Sequence, residues 1–129
     1  GWRICPMICY DLRFPVWSRS VKQSDDLYEY DLLVYVANWP SPRINAWDIL
    51  LQARAVENIS YAIGVNRVGL DENDKQYPGH SAIVDYTGKV LEKHVDETAI
   101  GSAVLDKSML LKFRDRFPFQ ADADAFSID

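Results

Sequence analysis

The chain has 129 residues, 48% of them hydrophobic, and its 14 Lys and Arg against 19 Asp and Glu give a net charge of −5. This length is sufficient for one domain with a substantial core that needs no metal or disulfide support. The negative charge and the lack of a basic stripe argue against a nucleic-acid or anionic-membrane partner, because phosphates require clustered Lys and Arg.

Neither a membrane span nor a targeting segment is recognisable. No apolar run approaches the roughly 20 residues that cross a bilayer, and residues 1–6 lack the pattern of a signal peptide. We therefore expect a soluble protein of the cytoplasm. The chain starts with Gly1 and reads as core sequence from Trp2 onward, so we expect it to be cut from a longer polypeptide.

The first part of the chain alternates apolar runs with helical and polar segments. Residues 3–8 are predicted to form a buried strand, at the edge of a sheet or with a bulge at Pro6, which cannot donate to a neighbouring strand. Residues 14–19 are predicted to form a helix with proline in its first turn. A polar stretch at residues 22–31 then leads into a second buried strand, Leu32–Ala37.

The longest predicted helix covers residues 43–58 and starts after Ser41 and Pro42. It is apolar around much of its girth, which indicates a buried or interface position. Residues 61–68 are predicted as the next strand, and residues 70–76 as an acidic surface turn.

A hairpin is predicted from residues 81–85 and 89–94, joined by a turn in which Gly88 supplies the positive φ. Residues 99–105 are predicted to form a further strand. Together with the earlier segments, this order predicts an α/β or α+β layered fold in which helices cover one side of a sheet.

The end of the chain contains one more predicted helix. Asp106 is expected to cap it, and residues 107–116 are expected to form it. The tail at residues 117–129 is too aromatic for a free linker, so we expect it to pack on the surface of the domain.

The cysteines and histidines do not indicate a disulfide or a metal site. On one strand, Cys5 and Cys9 would lie ~13 Å apart at ~3.3 Å per residue, so both are expected to be free thiols. His80 and His94 are far apart in sequence, and no zinc-binding spacing accompanies them. The acidic residues 71–74 lack the spacing of a calcium loop and are interpreted as a solvated turn.

Cys9 is placed where enzymes often carry a nucleophile, at the end of a predicted strand and just before a predicted helix. A turn at this position exposes the side chain and directs free N–H groups toward a developing oxyanion. The alternative is a small hydrophobic core residue, as unpaired buried cysteines commonly are. The spacing alone leaves both interpretations open.

The string ICYDLRFP at residues 8–15 resembles the nucleophile segment of the nitrilase superfamily of carbon–nitrogen hydrolases. Further blocks follow in the order of this family, so the resemblance covers nearly the whole chain. They are ANWP at 37–40, QARAVEN at 52–58, NRVG at 66–69, GHS at 79–81 and DYTG at 85–88. The strings YPGHS at 77–81 and FRDRFPF at 113–119 are most similar to bacterial omega-amidase-like members.

This resemblance implies hydrolysis of a small amide, such as an omega-amide of a dicarboxylate, by a Glu-Lys-Cys triad. Cys9 matches the cysteine that attacks the amide, releases ammonia and leaves a thioester for water to hydrolyse. No cofactor or metal is implied. The alternatives are another amide hydrolase of the superfamily, such as a carbamoylase or a nitrilase, and a non-catalytic binding module of the same fold.

The family's Glu and Lys both precede the cysteine, yet only eight residues precede Cys9, and Arg3 is their sole charged side chain. We therefore expect residues 1–129 to be the C-terminal part of a single carbon–nitrogen hydrolase domain that is inactive without the remainder. The fold implied is half of an α-β-β-α sandwich, in which two sheets of the complete domain pack face to face.

The resemblance also implies roles for residues near the nucleophile. The backbone N–H of Tyr10 matches half of an oxyanion hole. Asp11 and Arg13 would hold the loop through ion pairs, or form a simple surface pair. Asn38 and Trp39 would line the pocket if the first two strands are parallel, or form only a rigid packing corner.

Other residues are interpreted as structural. Arg54 and Glu57 are three residues apart on the long helix, can touch, and are expected to organise an interface. In this family that helix resembles part of a dimer interface, so we expect a homodimer or a larger homo-oligomer. A Cys9–His80 pair is the alternative catalytic arrangement, but a loop histidine bonded to the backbone is favoured.

Overall fold

The computed structural model describes residues 1–20, 28–124 and 127. Residues 22–27 of the predicted polar stretch and the end of the tail, Phe126 included, lie outside the described residues. The described chain forms a mixed sheet with two α-helices, which confirms the predicted α/β class. Within the same ranges, no helix has the length and apolar character needed to traverse a bilayer.

The sheet combines a parallel half with an antiparallel half. Its strands are β1 (Ile4–Ile8), β2 (Leu32–Ala37), β3 (Tyr61–Asn66), β4 (Val68–Leu70), β5 (Gln76–Val84) and β6 (Val90–Val95). The helices are α1 (Ile44–Asn58) and α2 (Lys107–Arg116), and 3-10 turns cover Cys9–Arg13, Ser41–Arg43 and Phe119–Asp122. The order is β1-β2-β3-β5-β4, with β6 on β5. β1, β2 and β3 are parallel, so their carboxyl ends share one edge.

Helix α1 packs on one face of the sheet. Trp47, Leu51 and Ala55 are buried in a core cluster that also contains Tyr35 of β2. A Cβ atom at Gly64 of β3 would lie 2.6 Å from the Trp47 ring and 2.8 Å from Leu51. Glycine at this position therefore allows the helix to approach the sheet closely.

The prediction that helices cover only one side of the sheet is wrong, because α2 packs on the face opposite α1 and covers part of it. Leu110 of α2 packs there with Leu32 of β2 and Tyr61 of β3. Beyond this cluster the same face carries exposed aliphatic side chains, since the strand register aligns them. These are Ile4, Ile8, Val36 and Val65, with exposed fractions of 57%, 72%, 59% and 48%. We call these four residues the open apolar face.

A buried ionic network joins α2 to the start of β2. The Asp31 carboxylate is fully buried and accepts hydrogen bonds from Lys107 Nζ at 2.8 Å and from Arg114 Nη1 at 2.9 Å. It also accepts the main-chain N–H of Arg3 at 3.0 Å. Burial opposes ionisation of Asp31, but the hydrogen bonds from Lys107 and Arg3 hold its pKa well below the ordinary value.

Several predicted elements are confirmed. Strand Leu32–Ala37 and helix Lys107–Arg116 have the predicted bounds, and the Asp106 carboxylate caps that helix by accepting the N–H of Met109 at 3.1 Å. The long helix begins one residue later than predicted. β1 lies at the edge of the sheet, as the proline within it predicts, but Ile4 and Ile8 are exposed, so the predicted burial of this strand is wrong. Gly88 adopts a φ of 89° in the hairpin turn.

Three predictions about elements are wrong. Residues 14–19 form successive turns instead of a helix, and the helical turn lies earlier, at Cys9–Arg13, where the Asp11 carboxylate accepts the N–H of Ile8 at 2.8 Å. The predicted strand 61–68 is divided at Arg67, since β3 ends at Asn66 and Val68 begins β4, which pairs with β5. Residues 99–105 pair with no strand in the described chain.

Candidate active site

The turn that follows β1 presents Cys9 in an unusual backbone conformation. Cys9 has a φ of 41°, a left-handed value that costs energy for a residue other than glycine. Its side chain is partly buried, and its Sγ lies 4.0 Å from the carbonyl oxygen of Asn38. Strain of this kind persists only where the surroundings impose it, and it is common at functional sites.

Asp11 and Arg13 both hold this turn, although they form no ion pair with each other in the described structure. Asp11 accepts the main-chain N–H of Ile8, which fixes the exit from β1. The guanidinium of Arg13 lies over the Trp39 ring, 4.9 Å from its centroid. Within the described residues, Asp11 and Arg13 hold the turn through a hydrogen bond to the backbone and a cation–π contact, and their ion pairs stay a prediction.

Asn38 and Trp39 lie beside Cys9 because β1 and β2 are parallel and in register. Trp39 is buried, and its main chain is held by Asn66 at the end of β3. The Trp39 N–H donates to Asn66 Oδ1 at 2.6 Å, and Asn66 Nδ2 donates to the carbonyls of Trp39 at 2.9 Å and Gly79 at 2.7 Å.

Asn66 and the cleft residue Arg43 are residues of this site that the sequence analysis did not identify as site residues. For Asn66 a signal was available. The available signal was its position, a polar residue at the end of the third strand, next to the loop after the second. The buried Asn66 amide bonds both Trp39 and Gly79 of β5, so we infer that it fixes the loop of Asn38 and Trp39 to the sheet.

A cleft of about 440 Å³ opens at Cys9. The residues that line it come from the turn after β1, the loop after β2 and the end of the 3-10 turn before α1. They are Cys9, Tyr10, Arg13, Asn38, Trp39, Pro40 and Arg43. Among these lining residues two are arginines and none is acidic, so the described part of the cleft is electropositive.

Arg54 connects α1 to the nucleophile turn. Its Nη1 forms an ion pair with Glu57 Oε1 at 2.9 Å, so the pair predicted on the long helix is present. Its Nη2 donates to the carbonyl oxygen of Leu12 at 2.6 Å, within the turn that begins at Cys9. Arg54 itself is buried, whereas Glu57 is exposed.

The two histidines lie away from this cleft. His80 lies in β5 and not in a loop, and its Nδ1 is bonded to Asp48 Oδ2 at 2.8 Å, so the prediction of a loop histidine bonded to the backbone is wrong. His80 does not line the cleft at Cys9. His94 is partly buried, with Nε2 2.9 Å from a carboxylate oxygen of Glu92 and Nδ1 2.8 Å from one of Glu97. The hydrogen bond to Glu97 is the main cause that raises the pKa of His94.

The two thiols differ in their surroundings. Cys5 points into the core under α1, and burial, followed by the charge of Glu29, raises the pKa of its thiol. Cys9 lies at the cleft instead. Within the described ranges, no cluster of three or more His, Cys, Asp or Glu could hold a metal ion.

Comparison with known proteins gives consistent matches. The sequence profile of the carbon-nitrogen hydrolase family matches residues 1–114. Omega-amidase YafV of Escherichia coli K12 is 46% identical over 129 residues, which are 99% of this chain and 48% of that protein. The 2-oxoglutaramate amidase of Bacillus subtilis is 36% identical over 118 residues, 92% of this chain and 44% of that protein. The chain therefore spans about half the length of these relatives.

Solved structures also match. XC1258 from Xanthomonas campestris, described as a CN-hydrolase superfamily protein with an arsenic adduct in its active site, has a TM-score of 0.95 and 41% identity. The match covers 100% of this chain and 49% of that one. The NitFhit protein of C. elegans has a TM-score of 0.80 at 28% identity, over 94% of this chain and 29% of that one.

Proposed function

Because the chain belongs to the carbon-nitrogen hydrolase family, we propose that it supplies the cysteine nucleophile of an amidase that acts on the omega-amide of a small dicarboxylate. The observation that carries the proposal is Cys9, held in a left-handed conformation at the mouth of an electropositive cleft. The relatives named as omega-amidase and 2-oxoglutaramate amidase support this substrate class.

In the proposed reaction, the Cys9 thiolate attacks the amide carbon to form a tetrahedral intermediate. The amide nitrogen takes up a proton and leaves as ammonia, and the acyl group remains on Sγ as a thioester. Water then attacks the thioester, which releases the dicarboxylate and returns the thiol. The N–H of Tyr10, next to Cys9 in the turn, is proposed to donate to the oxyanion.

We further propose that the glutamate and lysine of the triad come from outside residues 1–129. A thiol of ordinary pKa is only a few per cent thiolate at neutral pH and needs a base or a cation nearby. Neither a Glu nor a Lys lines the described part of the cleft. The chain also spans only 48% of the E. coli relative, which leaves room for such residues.

The open apolar face supports the same division of the domain. Ile4, Ile8, Val36 and Val65 form an exposed aliphatic surface on a sheet whose other face is covered by α1. A second sheet packed here would complete the α-β-β-α sandwich and bury this surface. We propose that the C-terminal part of the domain is described here and that the second sheet is supplied by the remainder.

Assembly and location are proposed on narrower grounds. Ile49 and Val56 of α1 are 57% and 49% exposed. We propose that these apolar side chains are buried between subunits of a homodimer or larger oligomer. Cys5 and Cys9 are free thiols, which is consistent with a protein of the cytoplasm.

A chimaera tests the proposed function. In it, this chain replaces the matching 48% of the E. coli omega-amidase, and ammonia release from glutaramate is measured. We expect activity in this chimaera and in its Cys5→Ala variant, and loss of at least about a thousandfold in kcat for Cys9→Ala. A folded but inactive chimaera that still binds glutaramate would favour the non-catalytic binding module.

A further inference from the structure

The cleft at Cys9 contains two guanidinium groups in different situations. Arg13 lies with its guanidinium over the Trp39 ring, which holds the side chain in place. The side chain of Arg43 is exposed at the cleft and forms no ion pair within the described ranges. Arg43 is therefore the cation of this cleft that is available to a ligand.

The main chain of Arg43 is fixed although its side chain is exposed. Its N–H donates to the carbonyl of Pro40 at 3.0 Å, and its carbonyl accepts the indole N–H of Trp39 at 2.7 Å. The same Trp39 ring underlies the guanidinium of Arg13. One buried tryptophan thus ties the Arg43 main chain and the Arg13 side chain to the loop beside Cys9.

The chemistry of this lining selects a ligand with an anionic end. No acidic residue is among the described residues that line the cleft, so a bound carboxylate would meet no opposing negative charge there. Guanidinium groups bind carboxylates through paired, charge-assisted hydrogen bonds. Tyr10, an aromatic residue that is 67% exposed, offers apolar surface to a short methylene chain.

We propose that Arg43, with Arg13, binds the free carboxylate of the substrate while Cys9 attacks its amide. This inference rests on the proposed function and assigns the residues that distinguish a dicarboxylate monoamide from a neutral amide. A neutral amide of the same length fills the apolar part of the cleft but leaves both guanidinium groups without a ligand.

The test uses the chimaera and measures how amides protect Cys9 from alkylation by iodoacetamide, with mass spectrometry to distinguish Cys9 from the other cysteines. We expect glutaramate to protect Cys9 at a concentration at least about tenfold lower than butyramide, as a charge-assisted contact implies. Arg43→Met should reduce this ratio to about one. The control is Arg67→Met, since Arg67 lies over Tyr77 and outside the cleft, and it should keep the ratio of the unaltered chain.

Equal protection by the two amides, or protection by neither, would overturn the inference, as would an unchanged ratio in Arg43→Met. Thermal unfolding of each variant verifies that the fold is retained. Ammonia release by the chimaera is measured in parallel, so that the two proposals fail separately. Charge-selective protection without ammonia release would keep the carboxylate site and reject the amidase.

Discussion

The guanidinium of Arg54 donates from Nη2 to the carbonyl oxygen of Leu12 at 2.6 Å, which joins the buried side of α1 to the turn that carries Cys9. Cys9 has a φ of 41° in that turn, so its conformation depends on such external contacts. Arg54 is therefore a positioning residue for the proposed nucleophile. Its ion pair with Glu57 fixes the guanidinium on the helix.

Replacing Arg54 by Met should lower both stability and activity. We expect the free energy of unfolding to fall by about 2 to 4 kcal/mol, because the Leu12 carbonyl loses its buried partner. In the chimaera, kcat should fall about a hundredfold with little change in KM, since a misplaced nucleophile reacts slowly. Arg54→Lys should recover part of kcat. The control is Arg116→Met, at an exposed arginine of α2. Equal losses of stability and kcat in this control would contradict the assignment of Arg54 as a positioning residue.

Removing the Asn66 amide should disturb the loop beside Cys9. In Asn66→Ala the main chain of Trp39 loses two hydrogen bonds, and the carbonyl of Gly79 loses one. We expect about 2 to 3 kcal/mol less stability by urea unfolding. We also expect a higher KM for glutaramate in the chimaera. Asn73→Ala, at an exposed turn position, provides the comparison, and an Asn66→Ala variant indistinguishable from it would refute this role.

The buried Asp31 carboxylate should give the protein an acid-dependent stability. Its pKa in the folded state is depressed, so its contribution is present above the unfolded pKa of about 3.9 and is lost as pH falls through the folded value. Asp31→Asn should cost about 3 to 5 kcal/mol at pH 7, since it leaves Arg114 and Lys107 without their counter-charge.

Urea unfolding at pH 7, 4, 3 and 2.5 provides the measurement, because the contribution changes only below the unfolded pKa. The difference in stability between the unaltered chain and Asp31→Asn should shrink as the pH is lowered. Glu72→Gln, in the exposed turn after β4, should show no such difference at any of these pH values. A gap between the unaltered chain and Asp31→Asn that stays constant with pH would show that the Asp31 charge does not carry the effect.

The isolated chain should self-associate and release negligible ammonia from glutaramate. The open apolar face exposes Ile8 and Val36 by 72% and 59%, and soluble monomers rarely leave contiguous apolar surface wet. Sedimentation should show species larger than the monomer. The double variant Ile8→Lys, Val36→Lys should contain a larger fraction of monomer. Met109→Lys, on α2, should not. A monomeric and active chain would contradict this account.

Local signals explain which elements could be predicted from the sequence. The apolar, β-branched run of β2 and the Asp106 cap of α2 are properties of neighbouring residues, and both elements have the predicted bounds. The predicted helix at residues 14–19 depended on proline alone. The turn that forms instead depends on the Asp11 carboxylate and the N–H of Ile8, a contact that composition does not reveal.

Long-range contacts explain the rest. The position of Asn38 and Trp39 beside Cys9 could be predicted, because these residues directly follow the second strand. If the first two strands are parallel, their carboxyl ends share one edge of the sheet, as the structure shows. Asn66 binds Trp39 from 27 positions away, and Arg114 binds Asp31 from 83 positions away. Spacing along the chain carries no information about such pairs, so both were missed as contacts.

The covalent intermediate tests the central claim most directly. The chimaera is mixed with excess glutaramate, quenched in acid within the first turnovers, digested and analysed by mass spectrometry. We predict a glutaryl group on the peptide that contains Cys9, bound to Sγ and removed by hydroxylamine, and none in Cys9→Ala. Active chimaera that carries the acyl group on another residue, or Cys9→Ala that still releases ammonia at an undiminished rate, would contradict the assignment of Cys9 as the nucleophile.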